Sequence, residues 1–154
     1  MAIKSNIPIC PGISDIQKFN QDQLQDQCKN IGYPLLVKSS AGGGGIGMSV
    51  VQNHKDLEGA IEKTSTLAEK SFGNGDIFIE KFITNARHIE IQVFGFGAQG
   101  SVHLFERDCS MQRRYQKIIE ESPAPEIDRT VIESMAASAV KLASDVKYLS
   151  LIHI

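Results

Sequence analysis

The stretch "KSSAGGGGIGMSVV", Lys38 to Val51, decides how this chain folds. It sets four consecutive glycines, Gly42, Gly43, Gly44 and Gly45, and a fifth at Gly47, between one lysine and a β-branched run. A P-loop would carry its lysine after the glycines, at the start of a helix, whereas Lys38 precedes them. Gly42, Gly44 and Gly47 do spell G-x-G-x-x-G, but the dinucleotide fingerprint must continue into a helix, with an acidic residue about 20 positions on. "GMSVV" is short and β-branched and reads as a strand. The remaining arrangement is a hairpin, "PLLVKS" (Pro34 to Ser39) returning as "GMSVV". Backbone without Cβ lets N–H groups approach phosphate oxygens, so a glycine hairpin can close over a nucleotide. The plainer alternative is a loose tip, with Lys38 a solvated charge at a strand end.

The rest of the composition narrows the class. The chain has 154 residues, 42% hydrophobic and 22% charged, which fits one soluble globular domain. A net charge of -2 argues against a general polyanion binder, so no nucleic acid is expected. Cys10, Cys28 and Cys109 form no C-x-x-C pair, so neither a zinc site nor a disulfide framework is indicated. No apolar run is long enough for a signal peptide or a membrane span. A reducing, cytoplasmic setting is the expectation.

Along the chain, Leu24, Cys28 and Ile31 recur at helical spacing between Gln21 and Ile31, with Gly32 as a stop. Asn53 can cap a helix from His54 to about Phe72, with Leu57, Ile61, Thr64 and Ala68 on one face. "IFIEKFI" (Ile77 to Ile83) reads as a buried strand. In "RHIEIQV" (Arg87 to Val93), Ile89, Ile91 and Val93 alternate with His88, Glu90 and Gln92. Gly95, Gly97 and Gly100 then turn the chain into the strand "SVHLFERD". "CSMQRRYQKIIEESPAP" reads as irregular, and a helix is expected from about Glu126 to Val146, with Ile127, Val131, Met135, Ala139, Leu142 and Val146 on its apolar side. Helices and antiparallel strands mixed without strict alternation make the fold class α+β.

Three clusters bear on chemistry. His88, Glu90 and Gln92 share one strand face, which is either an ordinary half-solvated surface or part of a site. "ERDCSMQRRYQKIIEE" holds Arg107, Arg113, Arg114 and Lys117 among four acids. That is either a salt-bridged loop or an anion site beside a base. Glu80, inside an apolar strand, needs a partner. A purine edge, a ribose hydroxyl or a neighbouring lysine could each serve.

Taken in order, "GYPLLVKSSAGGGGIGM", "IFIEKFITNARHIEIQV" and "ERDCSMQRRYQKIIEESPAP" resemble the biotin carboxylase family of ATP-grasp enzymes, from about Ile7 to Tyr148. "SSAGGGGIGM", with Ala41 and Ile46, and "NARHIEIQ" are most similar to its urea carboxylase (urea amidolyase) branch. The resemblance implies a ligase in which ATP phosphorylates bicarbonate to carboxyphosphate, which carboxylates carrier-bound biotin. It implies ATP, Mg2+ (or Mn2+) and biotin as cofactors, and the remainder of a carboxylase polypeptide as partner. Lys38 would bind ATP phosphates under a lid of Gly42, Gly43, Gly44, Gly45 and Gly47, and Met48 would pack on the adenine. Glu80, Lys81 and Ile83 would form the adenine and ribose hinge. His88, Gln112 and Tyr115, the last where many relatives have histidine, would lie along the nucleotide. Lys117 would be catalytic, beside bicarbonate and the transferred phosphoryl group. Alternative readings are an acetyl-, propionyl- or methylcrotonyl-CoA carboxylase, or a non-catalytic ATP-binding module.

The same resemblance divides the chain. Residues 1–32 would lead into the ATP-grasp domain, 33–84 form its small lobe with the glycine lid, and 85–148 begin its large lobe. Residues 149–154, in "YLSLIHI", depart from the family pattern and are expected to be an atypical, non-native tail. The family's metal-holding glutamates have no counterpart here, so no metal ligand is assigned. On this reading the sequence is a fragment, inactive by itself.

Overall fold

A computed structural model describes residues 1–42 and 45–150. Two compact units emerge: Cys10–Asn85, and Met1–Ile9 together with the chain from Ala86 onward.

The first unit is a four-stranded antiparallel sheet carrying two helices. In chain order it contains β1 (Gly12–Ile13), α1 (Gln21–Ile31), β2 (Leu35–Ser39), β3 (Met48–Val51), α2 (Leu57–Phe72) and β4 (Ile77–Lys81). Its strand order is β1-β4-β2-β3. The strand period of two dictates its faces. Leu35, Val37, Ile79 and Val51 are fully buried with Cys28 of α1 and, on α2, Leu57. Each such side chain contributes roughly 1.5–3 kcal/mol of apolar burial. Leu36, Lys38, Met48, Phe78 and Glu80 alternate onto the opposite face.

Local signals explain the helices. Asn20 and Gln23 form a reciprocal capping box at the start of α1, with Asn20 Oδ1 accepting from the Gln23 N–H at 2.9 Å. Asn53 also caps, accepting from the Lys55 N–H at 3.0 Å, but residues His54–Asp56 wind as a 3-10 turn. The α-helix therefore begins at Leu57 rather than His54. Leu57, Thr64 and Ala68 do form its buried face. β4 stops at Lys81, short of the expected Ile83: the Phe82 N–H still bonds the facing Pro34 carbonyl at 3.1 Å, but proline has no N–H to return and the ladder ends there.

The second unit contains β5 (Ile89–Phe96), β6 (Ser101–Arg113), β7 (Gln116–Glu121), α3 (Arg129–Asp145) and a two-residue β8 (Leu149–Ser150), with strand order β7-β6-β5-β8. The expected hairpin around Gly97 joins β5 to β6. Two expectations fail. The segment read as irregular is the second half of β6 and the whole of β7, a hairpin closed by Arg114 and Tyr115 at φ 49° and 66°. Two-residue loops of this hand prefer Asn-Gly or Asp-Gly, and neither is present to announce the turn. The helix begins at Arg129, not Glu126, because Glu126 has φ 52° and Asp128 caps by accepting from the Thr130 N–H at 2.8 Å. Its buried stripe is Ile132, Ala136 and Ala143, one position along from the expected one, and Val131 and Val146 are exposed. Two apolar stripes compete in this helix, and the sheet receives the one with smaller side chains.

Candidate functional site

In the first unit the glycine hairpin follows from close packing at its base. A Cβ on Gly42 would stand 2.8 Å from the Ile46 carbonyl oxygen, and Gly47 sits at φ 73° with Ser39 pressed against it. Both positions therefore require glycine. Gly45 is also at positive φ. Gly43 and Gly44, expected nearest the phosphates, lie outside the described residues. At the root of this hairpin Lys38 pairs directly with Met48 on one side and Phe78 on the other. Its ammonium donates to Glu80 Oε1 at 3.0 Å and lies 5.3 Å from the Phe78 ring centroid. The lysine is thus the partner that Glu80 needed, and both side chains remain partly open to solvent.

Lys81 points the other way. Its ammonium donates to the carbonyls of Gly32 at 2.9 Å and Tyr33 at 3.0 Å, just past the end of α1. Its own backbone is occupied by Pro11 and Cys10. Ile83 lies beyond the end of β4, exposed. The structure therefore gathers Lys38, Met48 and Glu80 on one face, with Lys81 and Ile83 apart from them.

In the second unit β5, β6 and β7 bring a denser set together. Glu90 stands opposite Arg107 in the β5–β6 ladder, and Gln112 opposite Lys117 in β6–β7. The Glu90 carboxylate takes Arg107 on Oε1 and Lys117 on Oε2. Arg107 continues to Glu120 Oε2 at 3.0 Å and to Gln92 Oε1 at 2.9 Å. His88 Nε2 is 3.6 Å from Glu90, and its Nδ1 is 2.7 Å from Gln112 Nε2. Partial burial works to raise the Glu90 pKa, but the Lys117 hydrogen bond and the Arg107 and Lys117 charges outweigh it, so the carboxyl is held below its usual value. The same hydrogen bond pushes the Lys117 ammonium above its usual value. Cys109 is buried nearby, and burial, then the Glu90 charge, push its thiol up.

Beside this network a cavity of about 440 Å³ is lined by Ala86, Arg87, His88, Ile89, Ser110 and Gln112. Its Arg87 wall is fixed by Asp108, which accepts at 2.7 Å. Ser110 hydrogen bonds and the Arg87 guanidinium hold the Asp108 carboxyl down at about 2. Tyr115 occupies the tip of the β6–β7 turn, exposed. Of the residues expected here, His88, Gln112 and Lys117 are brought together and Tyr115 is set apart. Glu90 and Arg107, at the centre of the network, were given no role by the sequence, although the His88–Glu90–Gln92 alternation had placed Glu90 on this face.

Among the described residues one group offers three metal-ligand atoms together, those of Glu90, Cys109 and Glu120, within 4.8 Å of one another. The Lys117 and Arg107 cations already close its carboxylates, and one ligand is a thiol. A hard Mg2+ or Mn2+, which asks for free oxygens, does not fit. No described helix is long and apolar enough to cross a membrane.

This chain belongs to the carbamoyl-phosphate synthase L chain ATP-binding domain family, whose model matches residues 1–153. Its fold is an α+β piece of the ATP-grasp domain found in biotin carboxylases. It is 40% identical over 149 residues to a pyruvate carboxylase of Staphylococcus aureus, covering 97% of this chain and 13% of that protein. A mitochondrial methylcrotonoyl-CoA carboxylase subunit alpha of Dictyostelium discoideum is 43% identical over 146 residues, covering 95% and 21% respectively. Among solved structures, the biotin carboxylase domain of Hydrogenobacter thermophilus 2-oxoglutarate carboxylase, in complex with MgADP, ADP and bicarbonate, matches with TM-score 0.87 at 37% identity, over 97% of this chain and 33% of that one. The chain spans a third or less of these relatives' lengths.

Proposed function

We propose that this chain forms part of the ATP site of a biotin-dependent carboxylase, an ATP-dependent ligase in which ATP and bicarbonate yield carboxyphosphate and then carboxybiotin. The observation that carries the reading is Lys38. Its ammonium stands at the root of a glycine hairpin, on the sheet face turned from the core, held by Glu80 and Phe78. A nucleotide phosphate supplies the stronger charge-assisted partner for that ammonium, and closure of the hairpin excludes water. Met48 and Glu80 offer an apolar and an accepting contact on the same face, and the Lys81–Ile83 segment supplies the hinge. In the second unit His88 and Gln112 line a cavity of ligand size and orient the nucleotide. Lys117 stabilises the charge on bicarbonate and on the transferring phosphoryl group. A divalent metal, when bound, neutralises phosphate charge, and no residue of this chain is assigned to it.

A second, finer reading takes urea as the final carboxyl acceptor. Ala41, Ile46 and "NARHIEIQ" favour it, while the relatives named above act on pyruvate, methylcrotonoyl-CoA and 2-oxoglutarate. Cytoplasmic residence accompanies both readings. The test is to supply the full-length protein with MgATP, labelled bicarbonate and free biotin, then with urea, pyruvate and acyl-CoA in turn. Bicarbonate-dependent ADP release with label on biotin is expected. MgATP binding without such turnover would leave only the non-catalytic module.

A further inference from the structure

We propose that Asn74 is a site of self-modification: its side-chain amide closes on the Gly75 nitrogen, loses ammonia and opens with water to aspartate or isoaspartate, beside the root of the glycine hairpin. Nothing in this step depends on ATP or on carboxylation chemistry.

Of the six asparagines, Asn74 alone is followed by glycine. A residue without Cβ leaves its nitrogen open to approach by the preceding side chain. The connector from α2 to β4, residues 73–76, arranges the reacting atoms. Asn74 Oδ1 accepts from the Asp76 N–H at 2.7 Å, which polarises the amide carbon and meets the charge that develops on the oxygen under attack. Among the described residues, the Gly75 N–H has no hydrogen-bond acceptor to give up, and Asn74 Nδ2 has none to hold the departing ammonia. Asn74 is exposed, so water reaches it. Asn53 provides the contrast within the same chain. Its Oδ1 likewise accepts from the N–H two residues on, that of Lys55 at 3.0 Å. Its Nδ2, however, donates to Asp56 Oδ2 at 2.7 Å, and the attacking nitrogen would belong to His54.

The step balances with water as its one co-reactant. The Gly75 nitrogen bonds to Cγ of Asn74, the Cγ–Nδ2 bond breaks, and the proton from the Gly75 nitrogen leaves with ammonia. Water then opens the ring at Cγ, giving aspartate, or at the main-chain carbonyl, giving isoaspartate. Isoaspartate adds one carbon to the main chain between two fixed points. Ser65 Oγ donates to the Gly75 carbonyl at 2.8 Å, and the Asp76 carbonyl accepts from the Ser40 N–H at 2.8 Å. Ser40 lies two residues past Lys38, so the longer connector loosens the sheet where the glycine hairpin leaves it.

The test incubates the native full-length protein at mildly alkaline pH, where the Gly75 amide proton is more readily removed. Peptide mass spectrometry and enzymatic methylation of isoaspartate read the products. The peptide holding Asn74 should gain the mass of an amide changed to an acid and should take the methyl label, at least ~10-fold faster than the peptide holding Asn53. Gly75→Ala should slow conversion at Asn74 at least ~10-fold. The comparison with Asn53, made within the parent, carries the test if that variant fails to fold. In the separated isoaspartyl fraction, hydrogen exchange at the Ser40 amide should quicken at least ~5-fold while the core strand β2 keeps its protection. An Asn74 that converts no faster than Asn53, or only once urea has unfolded the protein, overturns the proposal. Unchanged exchange at Ser40 overturns its claim on the hairpin root.

Discussion

Lys38 and Glu80, on adjacent antiparallel strands and offset by two residues, meet at 3.0 Å on the face of the sheet opposite its core. Each satisfies the other with part of its side chain still reachable by solvent. A half-open pair of this kind contributes little to stability, which leaves the ammonium available to a stronger anion.

Replacing Lys38 with Met should therefore separate function from folding. A charge-assisted contact of about 1.5–3 kcal/mol disappears, so kcat/KM for ATP in the full-length protein should drop roughly 10- to 100-fold. Stability should change by less than ~1 kcal/mol. Steady-state kinetics and a thermal melt check both halves, and unchanged ATP kinetics would return Lys38 to a solvated charge.

Gly47→Ala should behave differently. The new Cβ meets Ser39 at 3.0 Å in a backbone held at φ 73°. Strain of about 1–3 kcal/mol should lower Tm by several degrees, and ATP turnover should fall with it. A variant as stable as the parent would show that the hairpin base can rearrange.

Lys117→Gln should spare nucleotide affinity and abolish bicarbonate-dependent ATP cleavage, since the lost cation faces the transferring group rather than the base or ribose. Titration calorimetry with an ATP analogue and a turnover assay give the two readings. Equal losses in both would move Lys117 out of the reaction centre.

Asp108→Asn should change how the protein responds to acid. The native carboxyl is held at about 2, below the ordinary aspartate value of 3.8, by Ser110 and Arg87. A depressed folded pKa stabilises above the unfolded value and loses that contribution as pH falls through the folded one. The parent should therefore be more stable than the variant at neutral pH, and the difference should close as pH falls from about 4 to about 2. Thermal melts across that range check it, and a gap that stays constant would show that Asp108 acts through something other than its charge.

Much of this molecule could be read from local chemistry. The lysine before the glycines excluded a P-loop, the β-branched return forced a hairpin, and Leu24, Cys28, Leu57, Thr64 and Ala68 declared the core-facing sides of two helices. Asn53 marked the turn that leads into α2, because a cap is a contact between residues two or three apart. The β6–β7 hairpin was not legible, because Arg114 and Tyr115 adopt positive φ without the residues that usually signal it. Nor was the stripe by which α3 packs, since two apolar registers fit its period and the sheet beneath chose between them. Above all, the sequence separates Glu90 from Arg107 by 17 positions and from Lys117 by 27. Only the pairing of three strands could gather these charges on one carboxylate, because long-range register is set by the packing of the whole sheet and not by neighbours along the chain.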